Sequence, residues 1–329
     1  MENAITTVFE LSMGYAVSRC LHAIADLGVA DALDDSPRTP AELAARTGTN
    51  APQVLARALR LISAHGIFEA RDGGYIHTPA SRLLRTDHPQ SLRSFVRMMG
   101  FPDYWKCFEP LTESIRTGES PRKNVIPGDM WAYLAGHPEQ SRIFDEAMTG
   151  KAHGQIAGIL SNYDFSCFKS IADVGGGQGH LVEAILKATP QVSGVLFDLP
   201  HVVEHAAVRV SDRLRLQPGD FFKDSLPVCD AYTIMQVIHD WSDTEAVKIL
   251  KAIRRAAPAH AKLLLIEAIV PEDAQPSWIK MLDIFMFALL TGKERTLPEF
   301  RALLSASGFH LDKVIDAGLG MSILESSVI

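Results

Sequence analysis

The sequence predicts an α/β protein in two parts. A mostly helical N-terminal segment with one hairpin is followed by a mostly parallel sheet with helices on both faces. Three observations predict it. Short apolar runs alternate with helical stretches from residue 170 onward. A turn with four glycines in five positions closes the first of those runs. Two strand candidates end the chain with no helix between them, which adds a terminal hairpin and brings the sheet to seven strands.

The elements follow in order. The first 33 residues are helix-like, with an apolar face of Ile5, Val8, Leu11, Leu21, Ile24 and Leu27. Glu2, Glu10, Arg19 and Asp26 interrupt that stretch and no basic segment precedes an apolar core, so no signal peptide is expected. "TPAELAARTG" opens with Thr39, Pro40 and Glu42, a capping box with proline at the first helical position. "NAPQVLARALRLISAHG" puts Val54, Leu55, Ala58, Leu59 and Ile62 on one face and stops at Gly66. "IFEARDGGYIHT" reads as strand, Gly-Gly turn, strand. Helix, helix and hairpin in that order resemble a winged helix, a shape also used to read DNA. The basic residues Arg57 and Arg60 are too few for that use. The expectation is a dimerisation and substrate-cap domain.

Bulk composition narrows the partners. The chain has 329 residues, 47% hydrophobic and 22% charged, as in an ordinary globular protein with room for two cores. Its net charge of -7 argues against nucleic acid or an anionic membrane as main partner. No run approaches the roughly 18 apolar residues of a membrane span. Cys20, Cys107, Cys167 and Cys229 lie far apart, which suits a reduced, cytoplasmic protein.

The strand candidates are "SIADV", "GVLFDLP", "LRLQPGDFF", "CDAYTIMQVI", "KLLLIEAIV", "LDKVIDAG" and "MSILESSVI". The glycine turn runs Asp173, Val174, Gly175, Gly176, Gly177, Gln178, Gly179, a D-x-G-x-G-x-G spacing. A dinucleotide fingerprint would need a glycine where His180 stands, and a P-loop would need a lysine that "GHLVE" lacks. A bare tight turn would use the same glycines. Beyond that, Gly175 and Gly177 allow a ligand to come close, and the carboxylate of Asp173 ahead of them suits a cationic ligand. The second strand ends in Asp198, where an acid takes ribose hydroxyls in such sheets. "GDFF" adds Asp220, an acceptor for an adenine amino group, and Phe221, a flanking ring. A nucleoside with a positive, phosphate-free tail fits these residues, and S-adenosylmethionine is such a molecule.

Here the chain resembles the small-molecule O-methyltransferases of the plant caffeic acid and flavonoid type, with bacterial members that act on antibiotics and other aromatic metabolites. "DVGGGQG", "FDLPHV", "GDFF", "VIHDWSD", "LLLIEAIVPE" and "GKERTLPEF" occur in the family's order, over essentially the whole chain. The resemblance implies a class I S-adenosylmethionine-dependent methyltransferase with a Rossmann-like seven-stranded sheet and a winged-helix dimerisation domain. It implies dimerisation over residues 1–100, a helical connector over 101–160 that contributes to the substrate pocket, and catalysis over 161–329. It also implies that Gly175, Asp198, Asp220 and Phe221 hold the cofactor, with Trp241 beside the adenine. Plant members often carry a lysine at the position of Met235, so one polar cofactor contact differs here.

"QVIHDWSD" follows the fourth strand, on the ligand edge of a parallel sheet, and makes His239 the candidate base. A phenol has a pKa near 10 and histidine one near 6.5, so the proton has to be taken as the oxygen attacks. Glu267, ending "LLLIE" on the neighbouring strand, is expected to accept from the other ring nitrogen and fix the tautomer. The family pattern adds Glu294 from "GKERT" as a second acid near the histidine. Asp240, adjacent in sequence, is expected to point elsewhere. His239, Asp240 and Asp243 match none of the familiar zinc spacings, and an activated sulfonium needs no metal, so none is expected. Ser242 and Glu245 read as a capping box. Trp105, Phe144, Met148, Met281 and Met286 are expected in a wall for a flat apolar substrate, although such stripes are usually core. The main reading is an enzyme acting on a small aromatic phenol or enol as a homodimer. N-methylation and non-methylating chemistry (hydroxylation, decarboxylation, pericyclic steps) are the rivals.

Overall fold

A computed structural model describes residues 2–126, 130–204, 206, 208, 210–290 and 292–329, with side chains for all of these but Glu2, Trp131 and Ala132. The chain divides into two compact units, Met1–Lys106 with Trp131–Lys151, and Cys107–Met130 with Ala152–Ile329. Residues expected as one connector are thus shared between the units.

The first unit opens with α1 (Glu2–Asp26), followed by α2 (Pro40–Thr47), α3 (Pro52–Ser63) and the hairpin of β1 (Phe68–Arg71) and β2 (Gly74–His77). The expected capping box forms: the Thr39 hydroxyl accepts from the Glu42 amide, and the Glu42 carboxylate accepts from the Thr39 amide. Leu55, Leu59 and Ile62 of α3 pack with Ile24, Leu33, Leu43 and Phe68 in one core. Val54, expected on that face, is exposed, because the buried stripe follows Leu55, Leu59 and Ile62 at four- and three-residue spacing. The hairpin turn is Asp72-Gly73 rather than Gly-Gly. Both have positive φ, the two-residue turn that matches strand twist, while Gly74 already pairs with Arg71. In α1 only the C-terminal part is buried; Ile5, Val8, Leu11 and Tyr15 are all more than half exposed.

The second unit holds the seven-stranded sheet. Its strands are β3 (Ser170–Val174), β4 (Ser193–Asp198), β5 (Leu214–Pro218), β6 (Ala231–Met235), β7 (Lys262–Ala268), β8 (Phe309–Gly318) and β9 (Met321–Val328). The order across the sheet is β5-β4-β3-β6-β7-β9-β8, parallel through β7 and antiparallel beyond it. The long helix α4 (Pro138–Asn162) belongs to this unit from Ala152 on, and α5 (His180–Ala188), α6 (Asp243–Ala256), α7 (Trp278–Leu289) and α8 (Leu297–Ala306) follow in the chain. Leu181, Val182 and Ile185 of α5 join a core on one face with Ile156 and Ile279. Ile249, Leu250 and Ile253 of α6 join one on the other with Phe300 and Leu304 of α8. A sheet covered on both sides explains the near-continuous apolar runs in β3 and β7. Strand order reverses between β3 and β6, so the loops at the C-terminal ends of β3, β4, β6 and β7 converge there. Among the described residues no helix is long and apolar enough to cross a membrane.

Candidate active site

The turn after β3 is held by its neighbour strand. The Gly175 amide donates to the Phe197 carbonyl at 2.8 Å. Asp198, at the end of β4, accepts from the Gly177 amide at 2.8 Å and from the Leu199 amide at 2.7 Å. Gly177 has φ +55, and a Cβ built on it would meet nothing within 4 Å. Backbone is therefore bare on an open side. Gly176 is different: a Cβ there would lie 2.5 Å from Leu196 and 2.6 Å from the Asp173 carboxylate, so packing alone demands glycine.

Asp173 is 1% exposed. Its Oδ1 accepts from the Thr233 hydroxyl at 2.8 Å, and its Oδ2 has no hydrogen-bond partner among the described residues. Burial pushes its carboxyl up to about 6. A buried carboxylate with an unused oxygen behind a bare turn is the donor set a cationic ligand satisfies. Asp220 accepts from the Phe222 amide at 2.8 Å and pairs with Lys223 at 2.8 Å. Phe221, Phe222 and Trp241 form an edge-on aromatic trio, with centroids 4.8, 5.9 and 4.9 Å apart. Phe222 was not singled out from the sequence, although it stands in the same "GDFF" string. A nucleoside with a positive tail fits these residues.

His239 sits in a short 3-10 turn, Ile238–Asp240, just beyond β6, and is 6% exposed. Its Nδ1 lies 2.8 Å from Glu294 Oε1 and 3.6 Å from Glu267 Oε2. The expected partner was Glu267; the ring hydrogen bond goes to Glu294 instead. Glu267 Oε1 is engaged elsewhere, accepting from the amides of Val237, Ile238 and His239 at 3.2, 2.9 and 3.3 Å. Strand pairing of β6 with β7 brings that carboxylate under the turn, so it grips backbone before it can reach the ring. With Glu294 as acceptor, Nδ1 carries the hydrogen and Nε2 of the neutral ring keeps a free lone pair. Asp240 does not point away as expected: its Oδ1 lies 3.5 Å from His239 Nε2.

Burial disfavours charge on His239, but Glu267, Asp240 and Glu294 outweigh it and raise the ring's pKa to about 9. Burial is also the main cause that raises Glu267. His239, Glu267 and Glu294 bring ligand-type atoms within 4.8 Å of one another. The triplet weighed from spacing, with Asp240 and Asp243, does not gather, since Asp243 is paired with Arg295 and Lys293.

Two groups at this turn escaped sequence reading. Arg295 is fully buried against it, and a Cβ on Gly292 would fall 1.8 Å from the His239 carbonyl. Both lie in the quoted stretch around "GKERT", but nothing in a string of letters marks an arginine as buried when most are exposed. Of the expected substrate wall, Met281 is exposed and Met286 half-buried on α7, whose Phe285 packs edge-on against Phe108 at 4.8 Å. Trp105, Phe144 and Met148 are half-buried in the first unit, with the Arg19 guanidinium 5.1 Å from the Trp105 ring centre.

Comparison with known proteins identifies the family. Residues 108–310 match the family model for the O-methyltransferase domain, and residues 9–87 that for the O-methyltransferase dimerisation domain. The phenazine O-methyltransferase PhzM of Lysobacter antibioticus is 39% identical over 97% of this chain and 95% of its own. The 8-amino-8-demethylriboflavin N,N-dimethyltransferase of Streptomyces davaonensis is 34% identical over 98% of this chain and 95% of its own. The crystal structure of CalO1, a methyltransferase of calicheamicin biosynthesis, superposes with a TM-score of 0.91 at 32% identity, covering 100% of this chain and 99% of that one. The fold, the glycine turn with its acids, and both family matches make this chain a member of the S-adenosylmethionine-dependent O-methyltransferase family.

Proposed function

We propose that this enzyme methylates a phenolic or enolic hydroxyl of a small aromatic natural product, with His239 as general base. One observation carries the reading: a buried histidine at the ligand edge of the sheet, its Nδ1 bonded to Glu294, so that Nε2 is the nitrogen that takes the proton once the ring is neutral. When bound, S-adenosylmethionine supplies a methyl group already activated by a sulfonium charge. The protein's share is proton handling and placement. A ring with a pKa near 9 is a far better match for a phenol, near 10, than an ordinary histidine. Glu294 stabilises the imidazolium that forms. Glu267 holds the turn. Asp198 would take ribose hydroxyls, Asp220 the adenine amino group, Phe221 and Trp241 the flanks of the base, and Asp173 the positive tail behind Gly175 and Gly177.

The dimerisation-domain match and the apolar, exposed start of α1 support a homodimer formed through that helix. N-methylation is the second reading, favoured by the likeness to an N,N-dimethyltransferase. Mass spectrometry of products from a panel of phenols and aryl amines, with methyl-labelled cofactor, separates the two. Label on oxygen supports the first reading; label only on nitrogen replaces it.

A further inference from the structure

The turn that carries His239 is gripped from two sides by opposite charges. On its amide side Glu267 Oε1 accepts from Val237, Ile238 and His239. On its carbonyl side lies Arg295, fully buried. Its Nη1 donates to the Ile238 carbonyl at 3.0 Å and to the Lys293 carbonyl at 3.3 Å. Its Nη2 donates to the Trp241 carbonyl at 2.8 Å, and its Nε to Asp243 Oδ1 at 2.9 Å. The two turn carbonyls bracket His239 in sequence. The main chain of Arg295 is itself tied down: it bridges Ile269 in parallel register, and its carbonyl accepts from the Val270 amide at 2.9 Å. That is the direct continuation of β7, the strand that carries Glu267.

A buried guanidinium is costly, and an apolar side chain of similar size often does as well for stability. What an apolar residue cannot do is donate in a planar fork to several carbonyls at fixed angles. Glu294 precedes Arg295 in the chain, so whatever fixes the arginine also fixes the acid that meets the imidazole. We propose that Arg295 is a positioning residue for proton transfer, clamping the carbonyl side of the 238–241 turn so that the His239 ring stands against Glu294. The proposal rests on His239 being the base.

The test uses Arg295→Met and Arg295→Lys in the whole 329-residue chain. The first readout needs no substrate: the proton NMR titration of His239, assigned by its loss in His239→Ala, together with the low-field signal of the ring N–H bonded to Glu294. The expected result is a weakened or lost N–H signal and a shifted His239 titration in Arg295→Met, with the N–H signal of Arg295→Lys between it and the wild type. The second readout is turnover of a phenol accepted in the product panel. kcat should fall by about 10–100-fold in Arg295→Met with little change in KM, as expected for a misplaced catalytic group. In a His239→Ala background the same change should cause little further loss. If Arg295→Met does not fold, Arg295→Lys carries the test, because an ammonium cannot reproduce the fork. Either folded variant with wild-type kcat and an unshifted His239 titration overturns the proposal, as does a full additional loss in the His239→Ala background. Failure of the base assignment would look different: His239→Ala alone would keep its rate, while the NMR effect of Arg295 could still appear.

Discussion

At the scale of single residues, the proposed chemistry turns on how three carboxylates treat one imidazole. The raised pKa of His239 has a definite sign for activity. Below about 9 the ring of the free enzyme holds two protons and cannot accept a third; as pH rises through that value the base form appears. We expect kcat/KM for a phenol to climb between pH 7 and 9, and Glu294→Gln to move that rise to lower pH by removing a negative neighbour. A ring that titrates near the ordinary 6.5 in NMR would refute this. His239→Ala should lower turnover by about 10²–10⁴-fold at neutral pH, leave S-adenosylhomocysteine affinity nearly unchanged, and recover partly at high pH, where solution supplies the phenolate. A wild-type rate near neutral pH would end the assignment. Asp198→Ala should weaken S-adenosylhomocysteine binding more than tenfold by calorimetry, roughly the 1.5–3 kcal/mol of a hydrogen bond to a charged group. Here the residue also loses its grip on the Gly177 amide. Equal affinities would remove Asp198 from the site. His239, Glu267 and Asp198 were legible because each lies at or just beyond the C-terminal end of a strand run in a parallel sheet, where ligand edges lie. The exchange of roles between Glu267 and Glu294 was not, because it depends on a hydrogen bond between residues 55 apart in the chain.

At the scale of elements, the glycine turn after β3 is the test case. Its four glycines look alike in sequence and are used differently. Gly176 is pressed against Leu196 and Asp173, while Gly177 opens onto free space. Gly176→Ala should therefore lower thermal stability by about 1–3 kcal/mol, the usual cost of overpacking. Gly177→Ala meets no clash but places a Cβ at φ +55, so it should cost about 1–2 kcal/mol of backbone strain and in addition weaken cofactor affinity. Thermal unfolding and calorimetry of the two variants side by side would check this; a Gly176→Ala protein as stable as wild type would mean that Leu196 yields freely. Elements were readable wherever one local rule governs them. Thr39 and Glu42 announce the start of α2, and the alternation of runs announces β3 to β9. Local rules slipped where neighbours decide. Val54 fits an apolar stripe but faces outward, and the hairpin turns on Asp72-Gly73 because Gly74 is needed flat against Arg38, whose carbonyl a Cβ would meet at 2.7 Å.

At the scale of the whole molecule, α1 leaves Ile5, Val8, Phe9, Leu11, Met13 and Tyr15 more than half exposed along one helix. A run of that kind is out of place on a lone surface helix and suits the proposed homodimer interface. Val8→Asp with Leu11→Asp should convert a two-chain species to a single chain in light scattering at micromolar concentration, with the fold retained by circular dichroism. A wild-type protein that already scatters as one chain would refute the dimer.

The sequence by itself determined the class of the fold, the order of its strands along the chain, and the residues at the sheet's ligand edge. Periodicity, caps and glycine spacing act over a few residues, and a parallel sheet places strand ends together whatever the loops do. Only the tertiary structure decided which carboxylate meets the imidazole, that Asp240 comes within 3.5 Å of its other nitrogen, and that Arg295 is buried on the carbonyl side of the turn. Those facts depend on the pairing of β6 with β7 and on a bridge from Ile269 to Arg295. A hydrogen bond is made or lost within a few tenths of an ångström, and that precision comes from the packed sheet rather than from any stretch of sequence.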